Sequence, residues 1–189
     1  MQSKVFFVSD THFGHNNICK FTTDSGEKLR PWENAFEMDE ALIQSWNETV
    51  RECDKVYHLG DVAIAKRHLA TLSKLNGRKI LIRGNHDIFD AKDYLQYFKD
   101  IRGVHVLNGM ILSHIPIHEE SLARFSINVH GHLHSRRVMK DGLIDPRYYS
   151  VCVEQINFKP IEMSDLVERI KSQGGSVDLK PKENSDCAS

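Results

Sequence analysis

The chain has 189 residues, with 25 Lys and Arg against 26 Asp and Glu and a formal charge of −1. That balance offers no long electrostatic track for duplex DNA, so a nucleic-acid partner is possible only through a local basic patch and is not favoured. With 40% hydrophobic and 27% charged residues, the composition is that of an ordinary soluble globular domain, long enough to bury one core. No apolar run approaches the roughly 20 residues that cross a bilayer, so no membrane association is expected. The cysteines Cys19, Cys53, Cys152 and Cys187 have no paired spacing. Reduced thiols in a cytoplasmic protein fit them better than a disulfide framework or a zinc knuckle.

In chain order, Val5-Phe6-Phe7-Val8 reads as a core strand rather than a signal segment and runs into Ser9-Asp10-Thr11-His12. Residues 13–31 are polar, broken by Gly14 and Gly26, and predict a loop over that strand end. Within the loop, His15 and Asn16 have two readings, support of turn backbone or contact with a substrate. Arg30 reads as a surface ion pair or a phosphate contact. Phe36, Leu42, Ile43, Trp46 and Val50 recur at helical spacing over 34–52, with Trp46 in the core. Lys55-Val56-Tyr57-His58-Leu59 is a second strand leading to Gly60-Asp61. Residues 66–75 predict a helix with Leu69, Leu72 and Leu75 inward, stopped by Asn76-Gly77. Lys79-Ile80-Leu81-Ile82 then leads into Arg83-Gly84-Asn85-His86-Asp87. Strand, helix, strand, helix, strand predicts parallel pairing with right-handed crossovers, where ligands gather at the carboxyl ends of the strands. Asp10, Asp61 and Asn85 all fall there.

Further on, a short helix is expected over 93–99, then a hairpin from Val104 to Ser113 about Asn108-Gly109. His105 reads as a half-exposed strand residue, and His114 follows the hairpin directly. A strand over 126–129 enters His130-Gly131-His132-Leu133-His134. Tyr148 to Val153 is strand-like, and 164–170 helical with Ser164 as N-cap. Later strands without helical crossovers predict a second, more antiparallel sheet. Residues 1–172 read as a single domain and 173–189 as a flexible tail. Three strands in a row each end in a carboxylate or imidazole, and a histidine cluster closes the series. That is a metal site assembled from loop ends.

The ordered set Asp10-x-His12, Gly60-Asp61, Gly84-Asn85-His86-Asp87, His114 and Gly131-His132-x-His134 resembles the calcineurin-like metallophosphoesterase superfamily. Its flanking residues look like a small bacterial and phage-type branch, the likeness reaching about residue 161. The resemblance implies an α/β four-layer αββα sandwich, two mixed sheets flanked by helices, with a metal site at strand carboxyl ends. It implies two divalent metal ions, the first held by Asp10, His12, Asp61 and His134, the second by Asp61, Asn85, His114 and His132. It further implies hydrolysis of small phosphomonoesters or phosphodiesters, nucleotides among them, by a hydroxide bridging the two ions. A shared ligand must offer two oxygens, which the Asp61 carboxylate does and an imidazole cannot. Mixed nitrogen and oxygen ligands without thiolate suit manganese first, with iron, zinc and nickel as alternatives.

His86, beside a ligand, is the expected general acid or charge stabiliser. Arg83 is a phosphate contact or a structural residue. His130-x-His132 repeats the spacing of His132-x-His134, which leaves His130 ambiguous; the Gly131 register favours His132 and His134 as the ligands, with His130 behind them, and Asp87 is expected in the same supporting role. One departure matters: Asp61 is followed by Val62-Ala63-Ile64-Ala65, without the Asp-Arg-Gly of the protein-phosphatase members. That argues against a phosphoprotein phosphatase. The competing readings are a nuclease on nucleic-acid ends and a non-catalytic, metal-holding interaction scaffold.

Overall fold

Strand β1 (Val5–Val8) is made of β-branched and aromatic residues, and Phe6, Phe7 and Val8 are all buried, as a strand covered on both faces requires. The computed structural model describes residues 2–177. Among them, β1 lies in a sheet of order β11-β1-β2-β3-β4, formed with β2 (Lys55–His58), β3 (Arg78–Ile82), β4 (Asp100–Arg102) and β11 (Ile161–Glu162). Strands β1 to β4 pair in parallel, as expected, and β11 runs antiparallel on the edge.

Helix α1 (Ala35–Thr49) makes the first crossover. The Asn34 side chain caps it by accepting from the Glu37 N–H at 3.0 Å. Met38, Leu42 and Trp46 face the core, and the Trp46 indole donates to the Asn76 carbonyl at 3.0 Å. Phe36, expected on this stripe, is 77% exposed. It stands two residues, or about 200°, from Met38 around the helix. The second crossover is a 3₁₀ helix, Lys66–Lys74, not an α-helix. Its buried Leu69, Leu72 and Leu75 repeat every three residues, the period of the 3₁₀ form. The helix expected over 93–99 is a single turn, α2 (Ala91–Tyr94), after which the Phe98 N–H donates to the Tyr94 carbonyl and Phe98 is buried in the main core.

The second sheet has the order β10-β7-β6-β5, from β5 (Val104–Leu107), β6 (Met110–Ser113), β7 (Ile127–His130) and β10 (Tyr148–Ser150). The β5–β6 hairpin turns at Asn108 and Gly109, both at positive φ (50° and 77°), as the two-residue turn demands. Elsewhere the expectation of a more antiparallel sheet fails, because β6–β7 and β7–β10 are parallel. The crossovers there are a 3₁₀ helix, Glu119–Arg124, and a segment carrying the small hairpin of β8 (Met139–Lys140) and β9 (Leu143–Ile144). Neither has the apolar periodicity of a long helix, so the sequence pattern hides them.

Met110, Leu112, Ile127, Val129 and Tyr149 join the main core shared with the first sheet. On the other face Ile111 and Tyr148 pack with Leu122 of the 3₁₀ helix in a small second cluster. The fold is therefore two mixed sheets packed together with helical cover.

Helix α3 (Met163–Ser172) buries Leu166, Val167 and Ile170 and contacts β1 and β11. Ser164 lies inside its first turn with its hydroxyl toward Asp165, so Ser164 is not the N-cap; that position is Glu162. Of the expected tail, residues 173–177 are among those described, and they make contacts with the domain. Gln173 Nε2 donates to the Tyr148 carbonyl at 2.8 Å, and Val177 is buried in the main core. Residues 178–189 of that tail lie outside the described residues.

Candidate metal centre

Strand ends become a site here because the backbone turns sharply at each of them. Asp10, His12, Asp61, His132 and His134 all have positive φ, between 49° and 70°. For non-glycine residues this conformation costs on the order of 1–3 kcal/mol each and clusters at functional positions. Two glycines then let the loops approach. A Cβ on Gly84 would overlap Asp61 Oδ1, and one on Gly131 would lie 2.5 Å from Asp10 Oδ2.

Each aspartate is held by one oxygen and presents the other. Asp10 Oδ2 accepts from the His132 N–H at 2.9 Å and the Cys152 thiol at 3.2 Å. Its Oδ1 lies 3.8 Å from His12 Nε2 and 3.9 Å from His134 Nε2. Asp61 Oδ1 accepts from the His86 N–H at 2.8 Å, while Oδ2 faces His12 Nε2 at 3.7 Å and His114 Nε2 at 3.3 Å. Asn85 Oδ1 is 2.9 Å from the same His114 nitrogen. Among the described residues, Asp10-His12-His134 and Asp61-His114-His132 are the groups whose ligand atoms fall within 4.8 Å of one another.

These residues fit divalent metal ions. Asp10 Oδ1 and His12 Nε2 are buried with no hydrogen-bond partner among the described residues. Their separation of 3.8 Å is too long for a hydrogen bond but leaves room for a cation between them. Burying such atoms unpaired is costly, and coordination removes the cost.

The electrostatics point the same way. Burial would raise the Asp10 and Asp61 carboxyls, but neighbouring imidazoles outweigh it and hold both below the usual carboxylate range. Burial would lower His114, yet the Asp61 and Asp10 carboxylates raise it; Glu154 and Asp10 do the same for His134. His132 is lowered, by burial and by His114. The centre is thus an array of ionised acids that favours positive charge.

The imidazoles are oriented from behind. The Leu59 carbonyl can only accept, so the 2.7 Å contact assigns the proton of His114 to Nδ1 and leaves Nε2 to face the centre. His134 Nδ1 is held likewise by Glu154 Oε1 at 3.1 Å.

Glu154 is a residue the sequence reading missed. The only sign of it is a carboxylate set in the apolar run Val151 to Ile156, where it must find a partner. That partner is Arg30, which is 0% exposed and is therefore neither a surface ion pair nor free to grip phosphate. Its Nε and Nη2 donate to Glu154 Oε1 at 2.9 and 2.8 Å, Nη1 donates to the Thr11 carbonyl at 2.9 Å, and Nη2 to the Asp10 carbonyl at 2.5 Å. Arg30 thereby fixes the backbone of the first ligand loop and the carboxylate behind His134.

The remaining expected residues are distributed as follows. His86 is exposed at the rim, its ring 5.7 Å from that of His12. Asp87 is buried and accepts from the Asp61, Val62 and Gly84 N–H groups, clamping the second ligand loop to the third. His130 is buried, with Nδ1 on the Gly131 carbonyl at 2.8 Å and its ring 6.2 Å from that of Tyr148, and it falls in neither candidate group. Arg83 donates to the Asp87 and Phe89 carbonyls and lies over the Tyr94 ring. Asn16 Oδ1 accepts from the Ala35 N–H at the start of α1, a structural contact. His15 packs 5.6 Å from His12, and burial with the nearby His12 pushes its pKa down to about 4.

Aspartates and histidines delivered by the carboxyl ends of strands from two sheets into one buried, cation-seeking centre define a metal-dependent phosphoesterase. The chain belongs to the calcineurin-like phosphoesterase superfamily, whose domain matches residues 4–151. It is 37% identical over 182 residues to an uncharacterized protein of Methanocaldococcus jannaschii, covering 92% of this chain and 94% of that protein. It is 29% identical over 185 residues to the gene 66 protein of Mycobacterium phage D29, covering 79% and 87%. Among solved structures it is similar to a protein of unknown function from Aquifex aeolicus, with a TM-score of 0.65, 25% identity, and coverage of 89% and 100%. The phage relative agrees with the small bacterial and phage-type branch that the motifs resemble. Among the described residues no helix is long and apolar enough to cross a membrane.

Proposed function

We propose that the chain is a dinuclear phosphoesterase for small phosphomonoesters or phosphodiesters, nucleotides among them, working in the cytoplasm with manganese as the first choice of metal. The observation that carries this reading is the position of Asp61 Oδ2, which faces His12 of one ligand group and His114 of the other. Bound divalent ions would neutralise phosphoryl oxygens and lower the pKa of water from 15.7 toward about 7. Asp10, His12 and His134 would hold one ion and Asn85, His114 and His132 the other, with Asp61 shared. His86 has its backbone tied to Asp61 Oδ1 and its ring exposed at the rim, from which it can give a proton to the leaving oxygen. Asp87, through the Asp61, Val62 and Gly84 N–H groups, and Arg83, through the Asp87 and Phe89 carbonyls, keep that loop in place.

The near-neutral charge favours small esters over nucleic-acid ends. The test is removal of metal by chelation, reconstitution with manganese, iron, zinc or nickel, elemental analysis, and a panel of nucleotides, cyclic nucleotides and model esters. About two metals per chain and turnover lost on chelation are expected. Full turnover in verified metal-free protein would overturn the mechanism, and two bound metals with no hydrolysis across the panel would favour a scaffold.

A further inference from the structure

Beside the candidate centre, a cavity of about 320 Å³ opens between the loop 21–29 and the segment after β7. His132 and His134 form part of its wall, so the cavity is continuous with the centre. Phe21, Leu29 and Leu133 supply apolar surface to its wall, and Thr22 and Thr23 polar surface. The loop is ordered by its own backbone: Thr22 pairs with Lys28, the Thr23 N–H donates to the Glu27 carbonyl at 2.8 Å, and the Leu29 N–H to the Phe21 carbonyl at 2.8 Å. Asp24 then accepts from Arg136 at 2.9 and 3.2 Å, tying the loop to the segment that follows the histidine cluster.

Phe21 is 49% exposed although its backbone is bonded on both sides. An aromatic face left open at the mouth of a polar centre does nothing for the core. Its ring meets His15 edge to face at 5.9 Å, and His15 meets His12 at 5.6 Å, so two ring contacts separate it from a candidate ligand. A phosphoryl group held at the centre would leave the rest of its ester to enter this cavity. Farther out, the groove is lined by Asp24 and Glu27 as well as Arg136 and Arg137. Charges of both signs, Asp24 being paired with Arg136, do not make the continuous cationic track that a polynucleotide backbone needs.

The geometry points to a leaving-group subsite in which a flat aromatic portion of a small phosphoester, such as a nucleoside, stacks on Phe21. This rests on the phosphoesterase reading above for its chemistry, but binding of the aromatic group alone does not. Base–aromatic stacking is worth enough to change affinity by about 10- to 100-fold.

Two measurements on the full chain test the proposal. In Phe21→Trp, tryptophan emission is titrated with adenosine and, separately, with ribose, against wild type carrying only the buried Trp46 and the partly buried Trp32. Saturable quenching by adenosine beyond the wild-type response, and none by ribose, is expected. In the second, Phe21→Ala should lower kcat/KM for adenosine 5′-monophosphate about 10- to 100-fold more than for glycerol phosphate, mainly through KM, with Phe21→Trp restoring it. Phe36→Ala, an exposed phenylalanine on α1, serves as the control that changes neither. Quenching by adenosine with no hydrolysis of these two esters or of any other ester in the panel above would uphold the subsite and sink the phosphoesterase reading. Hydrolysis of both esters with equal losses and no quenching would do the reverse. Quenching by a single-stranded oligonucleotide but not by adenosine would overturn the small-ester subsite in favour of a strand groove.

Discussion

Removing the Glu154 carboxylate should damage the protein twice, and the two effects can be measured apart. In Glu154→Ala the Arg30 guanidinium stays buried at 0% exposure, still bonded to the Thr11 and Asp10 carbonyls but without its countercharge. Breaking a buried pair in this way costs about 3–5 kcal/mol. For a chain of this length that is a fall in Tm of about 6–20 °C, measured on metal-free protein by calorimetry. His134 Nδ1 also loses the acceptor that orients it, and such partners are typically worth about 10- to 100-fold in metal affinity, read by competition with a chelating dye. Glu154→Gln keeps an acceptor for both partners and should fall between wild type and alanine. The double variant Arg30→Met/Glu154→Leu removes both charges. It should recover part of the lost Tm while leaving metal affinity low, because nothing then orients His134. A Glu154→Ala protein melting within about 2 °C of wild type would refute the ion-pair argument. Unchanged metal affinity would refute the orienting role.

His86→Ala should keep fold and metals yet lose about 10²–10⁴-fold in turnover on esters with poor leaving groups, and less on an ester of an acidic phenol. Equal losses on both would assign His86 to phosphate binding instead. Asp54 is buried and accepts from the Arg51 guanidinium and from the Lys4 and Arg51 N–H groups, and Arg51 first among these holds its pKa below the carboxylate range. Because the folded pKa lies below the unfolded value of about 3.9, its stabilisation is complete above that value and lost as pH falls toward the folded one. Asp54→Asn should therefore lower Tm at neutral pH and flatten the acid limb of the Tm–pH curve; an unchanged limb would exclude this carboxylate as its source. A chain ending at residue 172 loses the burial of Val177, about 1.5–3 kcal/mol, and should melt about 3–12 °C below the full chain. An unaltered Tm would mean that residues 173–177 add nothing.

Much of the candidate centre is legible because its signals are local. A short apolar run followed at once by Asp10, Asp61 or Asn85 places a candidate ligand at a strand end whatever the rest of the chain does, and parallel pairing of β1, β2 and β3 brings those ends to one side. The glycine register separating His130 from His132 and His134 is equally local; the buried His130 is bonded to the Gly131 carbonyl and falls in neither of the two candidate groups. Trp46 in the core follows from helical spacing alone.

What failed to be legible depends on partners far away in sequence. Arg30 looks like a surface residue until Glu154, 124 positions later, is folded against it. The second crossover carries apolar residues at a spacing of three that an α-helix and a 3₁₀ helix both accommodate, and packing selects the 3₁₀ form. The parallel pairing of β6 with β7 and β7 with β10 leaves no periodic trace, because the intervening segments are short and irregular. Val177 lies in a stretch too polar to suggest docking, yet its side chain is buried in the main core and the Gln173 amide donates to the Tyr148 carbonyl.

By itself, then, the sequence determined which metal-binding residue types stand at the strand ends and in what order, since each of these is carried by a few contiguous residues. Tertiary structure alone decided which oxygen of Asp10 and Asp61 faces the centre, which imidazole nitrogen is free, and which buried charge supports which ligand. Those choices are made by hydrogen bonds from His132, His86, Leu59 and Glu154, and hydrogen-bond partners separated by tens of residues exist only once the chain has folded.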